Sequence, residues 1–190
     1  MDGGVRVADV GDSLDEADAE HFTRPVPRSA QARMRFLVRQ LKGTRPVAVL
    51  LGISQRTVER YVKGQIKSPR PALADRLYRE VRHRWQPRVR ARARQRAATT
   101  DGVFLSTRAR FGFTAAVGTT DDPRTRFLNQ LLPPEYAARL FAAQEAGAPE
   151  TELRAILAEG LGEMYFRDAG RRAEGLLVEF TDIEQLELHY

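Results

Sequence analysis

Serine and threonine hydroxyls cluster just after an arginine-rich stretch in the middle of the chain. They are Thr99, Thr100, Ser106, Thr107, Thr114, Thr119 and Thr120. A threonine hydroxyl is a weak nucleophile at neutral pH, so it reacts only with help from a base or a metal ion. No obvious base lies near Thr114 in the sequence. On composition alone, these hydroxyls indicate a region rich in loops.

Carboxylates are the second group that could do chemistry. They are Asp121, Asp122, Glu179, Asp182, Glu184 and Glu187. A pair of them could hold Mg²⁺ for nucleotidyl transfer, but such residues are more often loop caps or the solvated face of a strand. The chain has no cysteine, and its three histidines (His21, His83 and His189) are far apart, which argues against a zinc centre. It also lacks a glycine-rich nucleotide loop, a His-Glu metal motif and a Gly-x-Ser-x-Gly elbow.

The net charge of +6 on 190 residues hides a strong asymmetry. Residues 1–20 carry one Arg and seven acids, residues 21–100 carry 21 Lys and Arg against three acids, and residues 101–190 carry nine Arg against 15 acids. A basic middle between two acidic ends indicates a nucleic-acid partner. No apolar run reaches membrane-spanning length, and the acidic N-terminus is not a secretory signal. We therefore expect a soluble cytoplasmic protein that works on the nucleoid and not at a membrane.

The spacing of residues 44–63, TRPVAVLLGISQRTVERYVK, predicts a helix-turn-helix. Val47, Ala48 and Leu51 share one face of a first helix, and Gly52 suits the tight turn. Ser54 is a good N-cap for a second helix. The residues left for its outer surface are Gln55, Arg56, Thr57, Glu59, Arg60 and Lys63. Early positions suit base edges and later ones suit phosphates; the alternative is an ordinary helical hairpin whose polar face meets only water.

Flanking helices complete the predicted DNA-binding domain, which spans residues 23–86. One helix is expected from Ser29 to about Gly43. Another is expected after Ser68, with Leu73, Leu77, Val81 and Trp85 at four-residue spacing, ending near Pro87. Residues 1–22 are rich in Asp, Gly and Ala with little to bury, and we expect a disordered acidic N-terminus.

The segment 87–101 carries an arginine at every second position. These are Arg88, Arg90, Arg92, Arg94 and Arg96. On a helix this spacing would spread the charges around most of the circumference, although the intervening alanines favour helix. Five like charges in nine residues favour a basic arm that becomes ordered along phosphates. A solvated helix end is the alternative.

The remaining residues, 102–190, predict a small α+β domain. Residues 103–113 indicate one or two short strands, and GTTDDP indicates a loop. Residues 124–166 read as a strand followed by two helices, which fits either a ribbon-helix-helix unit that pairs as a dimer or a plain strand and helical hairpin. The alternating tail GLLVEFTDIEQLELHY indicates strands that close a sheet. The fold class expected for the whole chain is α+β.

Five segments resemble the telomere terminal proteins of Streptomyces-type bacteria with linear chromosomes and plasmids. They are LLGISQRTVERY, VRHRWQPRVRARARQRAATT, TRARFGFTAAVGTTDD, LPPEYAARLF and GLLVEFTDIEQLELHY, in the family's order from about Phe22 to Tyr190. The resemblance implies a protein that becomes covalently attached to the 5′ DNA end, because a side-chain hydroxyl replaces a primer. The family's priming threonine lies in a Phe-Gly-aromatic-Thr-Ala stretch, which Thr114 matches. Arg108 and Arg110 can offset phosphate charge beside it.

The same resemblance implies several macromolecular partners and no cofactor bound by the chain itself. A DNA polymerase would add the first nucleotide, and we expect it to supply Mg²⁺, the deoxynucleotide triphosphate and the catalytic carboxylates. The chain itself would be a nucleotide acceptor and not an enzyme, with no metal of its own. Telomeric DNA with a 3′ overhang and a telomere-associated protein are the other expected partners, and a homodimer remains open. The sequence also leaves open whether Thr119 or Thr120 replaces Thr114.

Two other classes of protein fit parts of the sequence. One is a helix-turn-helix transcription regulator with a C-terminal dimerisation domain. The other is a nucleotidyltransferase in its own right, for which the sequence offers only the carboxylates. A covalent adduct with DNA would distinguish the terminal protein from the plain regulator.

Overall fold

A computed structural model describes residues 9–114, 124–166 and 177–190. In these ranges the chain is α+β, with eight α-helices and a three-stranded antiparallel sheet. The chain divides into two compact units. The helical unit is Phe22–Pro87, and the sheet unit combines the residues before Phe22 with Arg88–Tyr190. Within the described ranges, no helix combines the length and apolar character needed to cross a membrane.

The elements follow one another in this order. The helices are α1 (Val10–Glu20), α2 (Ala30–Gln40), α3 (Thr44–Leu51), α4 (Gln55–Val62), α5 (Pro71–His83), α6 (Pro87–Arg96), α7 (Pro134–Glu145) and α8 (Glu150–Leu161). The strands are β1 (Val103–Thr114), β2 (Arg124–Leu132) and β3 (Leu177–His189). Short π-helical turns follow α6 (Ala97–Asp101) and α8 (Gly162–Phe166).

The helical unit is built around a small apolar core. Its fully buried members are Met34, Leu37, Val47, Leu51, Val58, Leu77 and Val81. Burying one such side chain is worth about 1.5–3 kcal/mol, so each helix is held mainly by its apolar face. Trp85 packs against the edge of this core, with its ring 5.0 Å from that of Phe36.

Local signals set the bend between α3 and α4. Gly52 ends α3 in the left-handed conformation (φ 63°), and the Ile53 amide donates to the Ala48 carbonyl at 3.0 Å. This pairing is the usual way to satisfy the last carbonyls of a helix. Ser54 then caps α4, because its hydroxyl accepts from the Thr57 amide at 3.2 Å.

Strand β1 lies at the centre of the sheet, whose order is β2-β1-β3. Val103 pairs with Leu132 of β2, and Phe104 pairs with His189 of β3. Alternate side chains of β1 are buried: Val103, Leu105, Thr107, Ala109 and Phe111. The pattern has the two-residue period of a sheet that covers a core with one face only.

Helices α1, α7 and α8 contribute to the core on the buried side of this sheet. Leu14, Leu140 and Leu157 are fully buried there. At Gly102 (φ 75°) a Cβ atom would lie 2.2 Å from the Leu132 carbonyl oxygen, so β1 can start beside the end of β2 only with glycine at this position.

The disorder expected for residues 1–22 is wrong for residues 10–20, which form α1. Asp9 caps this helix, accepting from the Gly11 amide at 2.8 Å, and Val10, Leu14 and Ala17 form its buried face. The seven acids among the first twenty residues indicated disorder, but three apolar positions on one face are enough for this helix to pack against the core. Residues 1–8 lie outside the described ranges.

The strand at 124–132 and the two helices after it are present, but the strand pairs with β1 of the same chain. A ribbon-helix-helix unit pairs that strand with its copy in a second subunit. Strand β2 lies at an edge of the sheet, so its other side can still pair with a second copy and the ribbon-helix-helix unit stays a prediction. The predicted GTTDDP loop, residues 118–123, lies outside the described residues.

Candidate nucleic-acid interface

Helix α4 presents one polar face to solvent. Gln55, Arg56, Arg60 and Lys63 are exposed and line a shallow groove together with Glu59 and Gln65. The Gln55 side-chain amide donates to Glu59 at 3.1 Å. Among the residues that the structure describes, the side chains of Arg56, Arg60 and Lys63 form no hydrogen bond or ion pair. Three such cations on two turns of helix can all reach an external anion.

Thr57 was expected to contact bases, but it forms hydrogen bonds with Ser54 at the N-terminus of α4. Its hydroxyl lies 2.9 Å from the Ser54 hydroxyl, and its side chain is only partly exposed. Its amide is the donor to the capping oxygen of Ser54. Thr57 therefore orients the first turn, and the long Gln55 and Arg56 side chains are better placed to reach beyond it.

Both ends of the α3–α4 pair are fixed to neighbouring helices. The Val62 carbonyl at the end of α4 accepts from Gln31 at 3.1 Å and from Arg35 at 3.0 Å. The Leu51 carbonyl at the end of α3 accepts from Arg76 at 2.7 Å. Tyr61 lies on the buried face of α4, and burial raises the pKa of its phenol. The exposed face of α4 is thus held on a rigid support.

The helical unit as a whole is strongly cationic. It contains 16 Lys and Arg residues against three acids, Glu59, Asp75 and Glu80. This excess attracts anions of any sequence or shape, in addition to the specific geometry of α4.

The arginine-rich segment forms helix α6, and the expectation of an arm is wrong. A helix sorts the alternating arginines into two rows. Arg88, Arg92 and Arg96 are four residues apart and exposed. Arg96 lies 4.0 Å from Asp101, while Arg88 and Arg92 have no partner in the described parts of the chain. Side chains four apart on a helix lie about 6 Å apart, so the row can meet successive phosphates.

Arg94 is not available to DNA, contrary to prediction, because it is buried with 7% of its surface exposed. Its Nε lies 3.0 Å from Asp18 Oδ1, and its Nη2 lies 2.6 Å from both Asp18 Oδ2 and the Gln144 side-chain oxygen. Burial lowers the pKa of Arg94, but the hydrogen bond and charge of Asp18 outweigh burial and raise it. Arg90 approaches the same carboxylate at 4.0 Å. The acids that neutralise this part of the run are Asp18 of α1 and Glu145 of α7, whose Oε1 lies 3.6 Å from Arg94 Nη1.

Tyr190 completes the same buried cluster. Its hydroxyl donates to Asp18 Oδ1 at 2.6 Å, and its ring lies 5.0 Å from that of Phe141. Burial and the charge of Asp18 raise the pKa of this phenol. Sequence reasoning missed the cluster because Asp18, Arg94 and Tyr190 are far apart in the chain. The only signal was an acid on the apolar side of an amphipathic helix.

The predicted acceptor Thr114 is the last described residue of β1, and its backbone pairs with Leu177 of β3. Thr119 and Thr120 lie outside the described residues. Of the other hydroxyls, Thr107 is fully buried and donates to the Gln185 carbonyl at 2.9 Å, so it is not accessible. Ser106 is partly exposed on the outer face of the sheet.

Arg108 and Arg110 are exposed on the outer face of β1. Arg108 forms an ion pair with Glu184 of β3, with Nε and Oε2 2.8 Å apart. Both partners are about half exposed, so the pair is worth less than about 1 kcal/mol and a phosphate can displace the carboxylate. Glu187 accepts from Gln185 at 2.9 Å. Among the described residues, no three His, Asp or Glu side chains come together to hold a metal.

No family model matches the sequence, and no curated protein or solved structure is similar to it. The assignment of function therefore depends on the site itself and on the family resemblance of the five segments described above.

Proposed function

We propose that the chain is a DNA-binding terminal protein that caps the ends of a linear replicon and provides the Thr114 hydroxyl as a primer. The observation that carries the DNA-binding part is the exposed face of α4, where Arg56, Arg60 and Lys63 have no partner among the described residues. In this proposal α3 and α4 form a helix-turn-helix, and Gln55 and Arg56 read base edges while Arg60 and Lys63 contact phosphates.

The outward row of α6 supports the same proposal. Arg88, Arg92 and Arg96 add a second set of phosphate contacts that carries no sequence information. Positioning contacts of this kind are what a protein bound at a DNA end needs, since they hold the duplex without competing for bases.

The priming step rests on the resemblance and on the position of Thr114 in the central strand. The Thr114 oxygen attacks the α-phosphorus of a deoxynucleotide triphosphate, an ester bond forms, and the bond to pyrophosphate breaks. The hydroxyl proton passes to a group on the polymerase, which also supplies Mg²⁺. The nucleotide's 3′-hydroxyl is then extended, so the protein stays on the 5′ end. A telomere-associated protein and the 3′ overhang complete the assembly.

A helix-turn-helix transcription regulator is the second reading of the same helical unit. It uses the same α4 surface, so the DNA-binding evidence favours neither function. The two differ at Thr114, because a regulator needs no nucleotide acceptor.

The deciding experiment measures transfer of a radiolabelled deoxynucleotide to the protein by a DNA polymerase of a host with linear replicons. We expect labelling of the wild type, partial labelling of Thr114→Ser and none of Thr114→Val, which keeps the branched shape and deletes the oxygen. Thr100→Val, at an exposed hydroxyl of the same unit, is the matched control and should label fully. Labelling that survives Thr114→Val, or peptide mapping to Thr119 or Thr120, would refute this assignment.

A further inference from the structure

The outer face of the sheet carries large apolar side chains that face solvent. Phe104 of β1 is 40% exposed, and Phe127 and Leu131 of β2 are 59% and 51% exposed. Among the described residues, the buried alternate positions of the same strands face the core. Phe104 and Leu131 adjoin each other as an exposed cross-strand pair, and adjoining exposed apolar side chains mark interaction sites more often than single ones do.

These side chains alternate with polar ones in cross-strand pairs. Phe104 lies opposite Leu131, Ser106 opposite Asn129, Arg108 opposite Phe127, and Arg110 opposite Thr125. Successive same-face pairs are about 6.8 Å apart along a strand, so the two phenyl rings belong to pairs about 14 Å apart. Between them lie a hydroxyl and a side-chain amide, and beside them lies a cation.

We propose that this face binds an extended single strand of DNA, with one base stacked on Phe104 and another on Phe127. The inference deepens the proposed function, since an end-priming protein must hold a template strand. Open sheets that bind single strands use aromatic rings as platforms for bases. Asn129 and Ser106 can donate to and accept from the edges of a base between the platforms.

The charges on this face fit a phosphate backbone that displaces a weak internal pair. Arg108 lies beside Phe127, and within the described ranges its side chain is held only by the exposed contact with Glu184. Arg110 is exposed on the same side of β1. A single strand placed along β1 and β2 would exchange the Glu184 carboxylate for a phosphate and would leave the acids of β3 at its margin.

A second copy of the chain fits this face less well. A self-associating face needs continuous apolar surface, whereas Ser106 and Asn129 separate the two aromatic positions.

The test uses the full chain carrying Arg56→Ala, Arg60→Ala and Lys63→Ala, so that the face of α4 contributes little. Fluorescence anisotropy with a labelled 12-nucleotide oligothymidine measures single-strand affinity. We expect Phe104→Ala with Phe127→Ala to weaken binding by about 10-fold or more, since each stacked base contributes strongly. Phe127→Trp alone should keep the affinity, and Tyr165→Ala, at an exposed aromatic elsewhere in the sheet unit, should leave it unchanged.

A second test changes the charge of this face and should raise the affinity for the oligonucleotide. Glu184→Gln should tighten binding by releasing Arg108, whereas Glu152→Gln, an equal charge change on the exposed face of α8, should have a smaller effect. Unchanged affinity in the double phenylalanine variant would overturn the proposal. So would a wild-type dimer in sedimentation that becomes monomeric in that variant. Neither result bears on duplex binding by α4, which is measured separately on the otherwise wild-type chain.

Discussion

Asp18 and Arg94 form a buried, two-pronged ion pair that joins α1 to α6 across 76 residues of sequence. Asp18 is 2% exposed, and both of its oxygens accept from the same guanidinium. The geometry is the bidentate one that arginine favours with carboxylates. The pair explains why a helix with five acids belongs to the core of the sheet unit.

Arg94→Ala should unfold the sheet unit more readily and leave duplex binding by folded protein unchanged. Removing Arg94 leaves the buried Asp18 carboxylate with the Tyr190 hydroxyl and the more distant Arg90, which costs up to about 3–5 kcal/mol. Urea unfolding measures the loss. Arg92→Ala, two residues away on the exposed side, is the matched control, with little change in stability and weaker DNA binding. Equal stability of the two variants would contradict the buried pair.

The exposed arginines of α6 should contribute to the salt dependence of duplex DNA binding. We expect Arg88→Ala, Arg92→Ala and Arg96→Ala together to reduce the slope of log K against log salt by about 0.9 for each duplex phosphate that the variant no longer neutralises. Arg139→Ala is the control, because Arg139 is bound by Glu159 at 2.8 and 2.6 Å and lies on α7. A slope unchanged by the triple variant would remove α6 from the interface.

Substitutions on α4 should separate sequence reading from phosphate binding. Arg56→Ala should reduce the preference for the specific site by about 1–3 kcal/mol. Lys63→Ala should weaken binding to specific and unrelated duplexes alike. Competition titrations with both duplexes at two salt concentrations distinguish these outcomes. If neither variant changes affinity, α4 does not face DNA.

Alkaline pH should weaken the fold through Tyr190. Burial raises the pKa of this phenol in the folded state above its unfolded value of about 10, so the folded state binds more protons above pH 10. Stability should be unaffected by this group below pH 10 and should fall as pH rises beyond it. Urea unfolding between pH 8 and 11 should show a shallower decline for Tyr190→Phe. Parallel declines would mean that Tyr190 ionises equally in both states.

Two glycines in the left-handed region should differ in their tolerance of alanine. Gly147 (φ 74°) has nothing within 4 Å of a built Cβ, so Gly147→Ala should cost only the conformational strain of about 1–2 kcal/mol. Gly102→Ala adds a clash with the Leu132 carbonyl and should cost clearly more. Gly102 also has ψ −160°, a backbone conformation that only glycine adopts readily, so thermal unfolding of the two variants compares the combined cost of strain and clash at Gly102 with strain at Gly147. Equal losses would contradict both costs at Gly102.

The sequence predicted the α+β class and the positions of the strands well, because the alternation in β1 and in the tail is local. Gly52 and Ser54 likewise lie at the observed end of α3 and start of α4, since turns and caps depend on neighbouring residues. These features need no knowledge of the rest of the chain.

What could not be predicted depends on distant partners. Like-charge repulsion in the arginine run favoured an arm, but Asp18 supplies the acid that allows a helix. The outer face of the sheet could have been found from the alternation of Phe104, Ser106 and Arg108. It was missed because the alternation in this strand was interpreted only for the positions that it buries.

The position of α1 also has a consequence for synthesis on the ribosome. The Ser13 hydroxyl donates to the carbonyl of Leu186, a residue made 173 positions later. At about 5–20 residues per second, roughly 9–35 s pass before Leu186 is synthesised. During this time the helical unit can fold, because the helices that pack together in it are all close in sequence. The acidic α1 cannot yet pack, because the strand that it contacts has not been synthesised. Translation order therefore favours a nascent chain whose basic helical unit folds first.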